Sequence, residues 1–408
     1  MAQTICETPS AELYSRVDDF PHSGSGSQMS TSMGQLLSPA QDVGSEAQGA
    51  PVISLPRGLT QVQGRPVQRL SPNDDERWDR RLATNAGSSF FHGAAWASVL
   101  RQTYGFQPNY FATLAGEHLD ALLPVMEVDS WLTGRRGVSL PFTDYCHPLA
   151  GDLPAFRQLF DEAVDYGRDR RWKYLELRGG TQFLAPALPS QRFYGHEISL
   201  VGDEKQLFVA LTSSVRRAIR KAEKQGVTVE IRKDAQGIRQ FYSLQCLTRR
   251  KHGLPPQPFK FFHNLQKYVL AEGAGIIILA RSGARTVAGS IFLHSGQQAF
   301  YKFGASDQAT LELRGNDMVM WEGIKYYASR GFRALDLGRT SLIHEGLRRF
   351  KLGWAAREHS IEYFKYDLRR SAFVAGRDEA IGWYNQLFAA LPLSLSRLLG
   401  AVLYRHIA

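Results

Sequence analysis

Leu211, Val215, Ile219 and Ala222 recur at intervals of four, four and three, so residues 211–224 read as a helix with one apolar face. Thr212 or Ser213 is placed to cap its start and Gly226 to end it. Upstream, Phe90, Phe91, Trp96, Val99 and Leu100 predict a helix with aromatic anchors. Strands follow at about 109–115 and 119–128, then a helix at about 154–168 and a strand over 172–178 that closes at Gly179-Gly180. Downstream the plan repeats: a strand at 227–232, helical segments around 235–250 and 259–271, and strands at 274–281, 286–294 and 298–303, the last three joined by turns at Ser282-Gly283 and Ser295-Gly296. A helix over about 316–330 then runs into a strand at 332–337. The run Tyr166 to Gly179 can be laid without a gap on Tyr326 to Arg339, which sets Glu176 on Asp336 and suggests duplication.

Residues 1–66 form a tail that is Ser-, Gly-, Gln- and Ala-rich from residue 21, too poor in apolar residues to order itself. The expected organisation is a first unit over 67–200, a second over 201–370 that carries the chemistry, and an apolar helical extension over 371–408. Pro392 interrupts that extension and argues against a single spanning helix. Two readings of it remain: a helix folded on the body, or an interfacial helix on an anionic membrane. No run of 18 uncharged apolar residues occurs, and the start has no basic region followed by an apolar stretch. The three cysteines are far apart and in no C-x-x-C arrangement, which disfavours a disulfide framework or zinc site. The expectation is a cytoplasmic protein, peripheral to the inner face of the plasma membrane if the extension meets lipid.

The chain carries a formal charge of +10, and residues 215–233 hold seven basic and two acidic residues, a net of +5. Arg216, Arg220 and Lys224 form a row of like charges at i, i+4 spacing, with Arg217 and Lys221 beside it. A solvated face and a site for a phosphate-bearing ligand both fit that row. Near the other end, Asp336 ends the strand 332–337, and Gly338, Arg339 and an Arg/Lys-bearing turn with Lys351 follow. No Gly-x-Ser-x-Gly, His-Glu-x-x-His or P-loop pattern is present, so hydrolase, zinc-protease and P-loop chemistries lack their parts. Amide formation by acyl transfer needs less. Asp336 is placed to orient or deprotonate an amine, Lys351 to stabilise an oxyanion or a donor phosphate, and Arg339 to clamp a phosphate. Arg314-Gly315-Asn316, just before a helix, offers backbone N–H groups to a pyrophosphate, although Asn316 is also an ordinary N-cap.

A basic S-x-R-R-x-I-R-K-A-x-K-x-G-V helix, a Tyr-Lys-Phe-Gly-Ala turn, an Asn-started helix, D-L-G-R and G-L-x-x-F-K-x-x-W occur in that order. The set resembles the Fem-type peptidyltransferases and their BioF-like acyltransferase relatives, most strongly over 205–367. The resemblance implies an α+β fold of tandem N-acetyltransferase (GNAT) domains, with mixed sheets flanked by helices. It implies an N-acyltransferase acting on a phosphate-bearing acceptor of the cell envelope or of exopolysaccharide, with no metal and no bound cofactor. By matching position it suggests Lys351 and Arg216 or Arg217 for substrate phosphates, and Tyr301 and Lys302 for the family's aromatic-basic turn. Many Fem enzymes insert a helical-hairpin arm in the second domain, thought to help hold tRNA. Residues 233–274 are too short for it and contain Pro255, Pro256 and Pro258. Acyl-CoA therefore gains ground as co-substrate over aminoacyl-tRNA. The competing expectation is a non-catalytic module that binds polyanions or membrane through its basic surface.

Overall fold

A computed structural model of the chain describes residues 65–85, 87–376 and 391–407. Most of the 1–66 tail, and residues 377–390 of the apolar extension, lie outside the described residues. In chain order the first half comprises β1 (Gln68–Leu70), α1 (Trp78–Ala83), α2 (Ala94–Tyr104), β2 (Gln107–Ala115), β3 (His118–Val128), β4 (Arg136–Val138), α3 (Leu153–Asp169), β5 (Tyr174–Arg178), α4 (Thr181–Leu184) and β6 (Gln191–Ser199). The second half comprises α5 (Glu204–Ala210), α6 (Ser213–Lys224), β7 (Thr228–Arg232), α7 (Ala235–Lys251), α8 (Phe259–Leu265), β8 (Gly275–Ser282), β9 (Arg285–Ser295), β10 (Gln298–Ser306), α9 (Gly315–Ala328), β11 (Ala334–Ser341), α10 (Glu345–Gly353) and β12 (Arg357–Asp367). The short β13 (Ala372–Val374) and α11 (Leu393–Leu403) end the described chain.

The thirteen strands among the described residues form one mixed sheet, in the order β1-β2-β3-β4-β5-β12-β6-β11-β10-β9-β8-β7, with β13 paired to β12. Each half makes an antiparallel meander, and then a helical crossover returns the chain to a parallel partner. α3 joins β4 to β5, and α9 joins β10 to β11. Each half then gives its last strand to the other. β12 lies against β5, and β6 lies against β11, with β6 and β12 antiparallel at the centre. The sheet is thus continuous because two strands are exchanged.

The expected meander over 274–303 and both crossover helices are present. The segment 259–271 forms α8 and continues as one π-helical turn over Gln266–Leu270. The two central strands, β6 and β12, were not expected from hydrophobic pattern. Their polar positions pair across the sheet: Arg192 with Glu362 at 3.0 Å, and the buried His196, kept neutral by desolvation, with Glu358 at 3.2 Å. Apolar alternation is weakest where polar side chains satisfy one another. The basic turn expected after β11 is a full helix, α10.

One apolar cluster runs through both halves, joining Trp96 and Leu100 of α2 to Phe241 of α7 and Phe261 and Phe262 of α8. The opposite face is covered by α3 in the first half and by α6 and α9 in the second. The first crossover is pinned by Glu127 on β3, which accepts from Arg170 (3.0 and 2.8 Å) and from the Trp172 indole (2.7 Å). Burial alone would raise this carboxyl's pKa. The Arg170 and Trp172 bonds outweigh it and hold it below the usual range. Its contribution is therefore complete above pH 4.5 and is lost on acidification. Glu127→Ala leaves the Trp172 N–H buried without an acceptor. It should cost about 1–3 kcal/mol in urea unfolding at neutral pH, with the deficit shrinking in acid.

Candidate functional site

β10 and β11 stay paired only from Gln298/Ala334 to Phe300/Asp336. Beyond that pair the strands part. β10 carries a bulge between Tyr301 and Phe303, and β11 turns at Gly338, whose φ is +72°. The opening receives residues 139–146 of the first half, where Leu140 and Phe142 both sit at positive φ (60° and 61°). Such backbone conformations are costly for residues with a Cβ and cluster where a segment must present a side chain. The side chain presented is Asp144.

Asp144 meets Lys302 Nζ at 3.4 Å and Arg339 Nε at 3.7 Å, both contributed by the second half. Its segment is braced by Tyr363, whose hydroxyl donates to the Asp144 carbonyl at 2.7 Å, and by Arg178, which donates to the Thr143 carbonyl at 3.1 Å. Arg178 is paired in turn with Glu176 at 3.0 Å. Arg339 lies over the rings of Phe193 (4.2 Å) and Tyr363 (5.2 Å), so it faces Asp144 rather than solvent. Lys302 is buried, with its ammonium 5.3 Å from the Phe91 ring centre. Burial pushes its pKa down, against the pull of Asp144.

Asp336 lies beside this group. It accepts from the Gly338 N–H, and burial raises its pKa to about 6; the Gly338 bond opposes that rise and Asp144 adds to it. Such a carboxyl exchanges a proton near neutral pH. Lys351 is also buried and shifted by desolvation, down to about 8. Its ammonium donates to the carbonyls of Gly338 and Arg339, both at 2.9 Å, which leaves it tying α10 to the end of β11. The formal balance is Lys302, Lys351 and Arg339 against Asp144 and Asp336, an excess of one positive charge that suits a developing anion.

A cleft of about 110 Å³ opens on this cluster, and its walls include Asp144, Asp336, Lys302, Gly338, Tyr145 and His147. Tyr301 also lines it, although its ring packs on Phe292 and burial pushes its hydroxyl up to about 12. A further polar group lies behind the first-half wall, against the lining residues Ser89 and His147. His92 contacts Ser89 Oγ at 2.9 Å and the His147 carbonyl at 2.9 Å, and burial lowers its pKa to about 4, so its ring is neutral.

The other expected residues lie away from the cleft. Arg216 donates to the carbonyls of Val209 (2.5 Å) and Leu211 (3.0 Å) and so closes the end of α5. Arg217 is exposed, and neither it nor Lys221 or Lys224 makes an ion pair among the described residues. α6 abuts the end of α10 through Thr212, whose N–H donates to the Gly353 carbonyl at 3.1 Å. Arg314 is left-handed (φ 58°) immediately before α9, with Gly315 and Asn316 in the first turn. Sequence reasoning missed Asp144. It lies in a loop between two short elements, in the unremarkable run Pro141-Phe-Thr-Asp-Tyr, and becomes a site residue only through the partner half. No group of His, Cys, Asp and Glu among the described residues is arranged to hold a metal.

Residues 211–359 match the family model of the acetyltransferase (GNAT) domain. The crystal structure of FemX superposes with a TM-score of 0.61 at 14% identity, covering 74% of this chain and 97% of FemX. A tandem GNAT protein from the clavulanic acid biosynthesis pathway gives 0.49 at 10% identity, over 74% of this chain and 98% of that one. L-PGS from Bacillus licheniformis gives 0.47 at 13%, over 84% and 99%. None of the curated proteins searched matches the chain. The fold is that of FemX, with a GNAT domain over residues 211–359.

A Cβ on Gly338 would lie 2.8 Å from Asp144 Oδ2, on a backbone that disfavours side chains. Gly338→Ala should therefore displace Asp144 from Lys302 and Arg339. The expected outcome is a loss of melting temperature together with loss of acyl transfer. Gly116→Ala, where the Cβ would meet nothing within 4 Å, is the control for backbone strain alone.

Proposed function

We propose that this chain, a Fem-like GNAT N-acyltransferase, uses the cleft at Asp144 and Asp336 to acylate the amine of a phosphate-bearing acceptor, with acyl-CoA as donor. The observation that carries the reading is the pair of carboxylates, one from each half, set beside the buried Lys302 and Lys351 and the largely shielded Arg339 at the mouth of the parting β10 and β11. Asp336 takes the proton from the acceptor's ammonium. Asp336 passes that proton to solvent, the amine nitrogen attacks the thioester carbonyl, the C–N bond forms and the C–S bond breaks, and the second proton that the nitrogen gives up goes to the leaving thiolate. Lys302, and the net positive charge of the group, stabilise the oxyanion. Lys351 and Arg339 hold the end of β11 and Asp144 in place.

Acyl-CoA is favoured as donor because α7 and α8 are folded onto the sheet, with Phe241, Phe261 and Phe262 fully buried, so residues 233–274 form no projecting arm for tRNA. The first turn of α9 at Arg314, Gly315 and Asn316 supplies N–H groups for the donor's pyrophosphate. Asp317 already takes part of that dipole, so Arg314 carries the balance of charge. The exposed Arg217, Lys221 and Lys224 of α6 are the site for the acceptor's phosphate. An envelope or exopolysaccharide precursor is the class of acceptor that fits.

Thermal-shift titration with acyl-CoAs and, separately, aminoacyl-tRNAs, followed by transfer assays on the donor that binds, tests the reading. Stabilisation by acyl-CoA is expected; stabilisation by aminoacyl-tRNA alone would overturn the donor assignment. Affinity for polyanions with no turnover of either donor would favour the non-catalytic binding module. Asp336→Asn keeps the shape and removes the base, so transfer should fall by roughly a hundredfold or more with the fold intact. The wild-type rate should rise with pH through about 6 as Asp336 loses its proton, and this limb should vanish in the variant.

Arg217→Ala and Lys221→Ala should each weaken acceptor binding, with the deficit shrinking as salt rises. Neither should change the melting temperature, since both side chains are exposed.

A further inference from the structure

α11 is packed the wrong way round for a helix on a soluble surface. Its buried positions are Ser396 and Gly400, continued by Tyr404, whereas Leu398 is 62% exposed and Val402 50%. The inward face is fitted closely. A Cβ on Gly400 would lie 1.9 Å from the Pro256 carbonyl oxygen, and the Tyr404 hydroxyl accepts from Arg249 at 2.6 Å and donates to the Pro255 carbonyl at 3.2 Å. The leucine face is therefore turned outward by specific contacts, not left over from poor packing.

A second apolar element meets it. The loop between β3 and β4 carries Trp131, 82% exposed, and Leu132, 52% exposed. This loop is tied to the residues just after α11. Trp131 lies against the His406 ring at 5.4 Å, Ser130 Oγ contacts His406 Nδ1 at 3.0 Å, and Thr133 and Arg136 both donate to the His406 carbonyl. Residues 391–407 contain Arg397 and Arg405, both exposed, and no acidic residue. In the loop the acidic Asp129 is neutralised by Arg135 at 2.6 Å.

We propose that Trp131, Leu132 and the outer face of α11 form one platform that docks on an anionic lipid bilayer. The three features converge on that occupant: an outward tryptophan, a leucine ridge fixed in orientation, and arginines without local acids. A protein partner would not require the charge bias, and a second copy of the same cationic ridge would repel it. No helix among the described residues is long and apolar enough to cross a membrane. Contact is therefore interfacial. The inference is independent of the donor and acceptor proposed above.

The test is co-sedimentation of the full chain with vesicles of phosphatidylcholine alone and of phosphatidylcholine mixed with phosphatidylglycerol. Wild type should partition onto the anionic vesicles, less so as salt is raised. Trp131→Ser and Leu398→Ser should each lower partitioning by about tenfold, from the apolar surface each removes, without change in melting temperature. Failure of wild type to bind, or equal binding by both variants, would overturn the proposal. So would light scattering that shows a wild-type dimer which the variants abolish, since the ridge would then join two copies. A marked fall in melting temperature would place a segment of the chain itself on the platform and would also overturn it.

Discussion

The site depends on one buried carboxylate held between the two halves of the fold: Asp144 comes from the first half, and both Lys302 and Arg339, which it meets, come from the second. Two buried ammonium groups and a largely shielded guanidinium beside one another would repel strongly in a low-dielectric interior. Asp144 offsets that repulsion where Lys302, Arg339 and Lys351 converge. The same carboxylate pushes the Asp336 proton affinity up and pulls that of Lys351 back toward its ordinary value. The protonation states of the cleft therefore belong to the pair of halves together. Neither half alone would hold these groups in these states.

This explains why the sheet is continuous. The exchanged strands β6 and β12 place Phe193 and Tyr363 under Arg339, and Tyr363 also holds the Asp144 carbonyl. Two separate sheets joined by a linker would leave the Asp144 segment free to shift by more than a salt bridge tolerates. Exchange fixes it with backbone ladders on both sides. Arg348 and His196 both reach Glu358 on β12, which locks α10, and with it Lys351, onto the exchanged pair.

The elements that sequence alone made legible are those with a one-sided environment. The meander β8–β10, the crossover helices α3 and α9, and the apolar face of α6 each set an apolar side against a polar one, so their periods survive in the sequence. β6 and β12 have polar groups on a buried sheet face and lack that contrast. Asp336, Lys351, Arg339 and Lys302 were legible as a group because they are near one another in the chain or in the family's motif order. Asp144 was not, because its role is created by tertiary contact with residues more than 150 positions away. Arg216 looked like a substrate ligand from its charge. The structure directs it to two carbonyls at the end of α5, a local task that charge patterning does not distinguish.

The likeness of the two halves also shows where they differ. In the first half β4 and β5 part just as β10 and β11 do, after the pair Val138/Glu176. There the opening is closed by the chain itself. Ser139 Oγ accepts from the Arg178 N–H at 2.7 Å, and Cys146 returns to bond the Arg178 carbonyl at 2.8 Å. The residue that corresponds to Gly338 is Arg178, whose side chain fills the space and holds the loop. In the second half a glycine at that position leaves room, and the loop that plugs the first opening delivers Asp144 into the second. The loop that closes the first opening thus supplies one charged wall of the second, which is why two similar halves of one sheet differ at their openings.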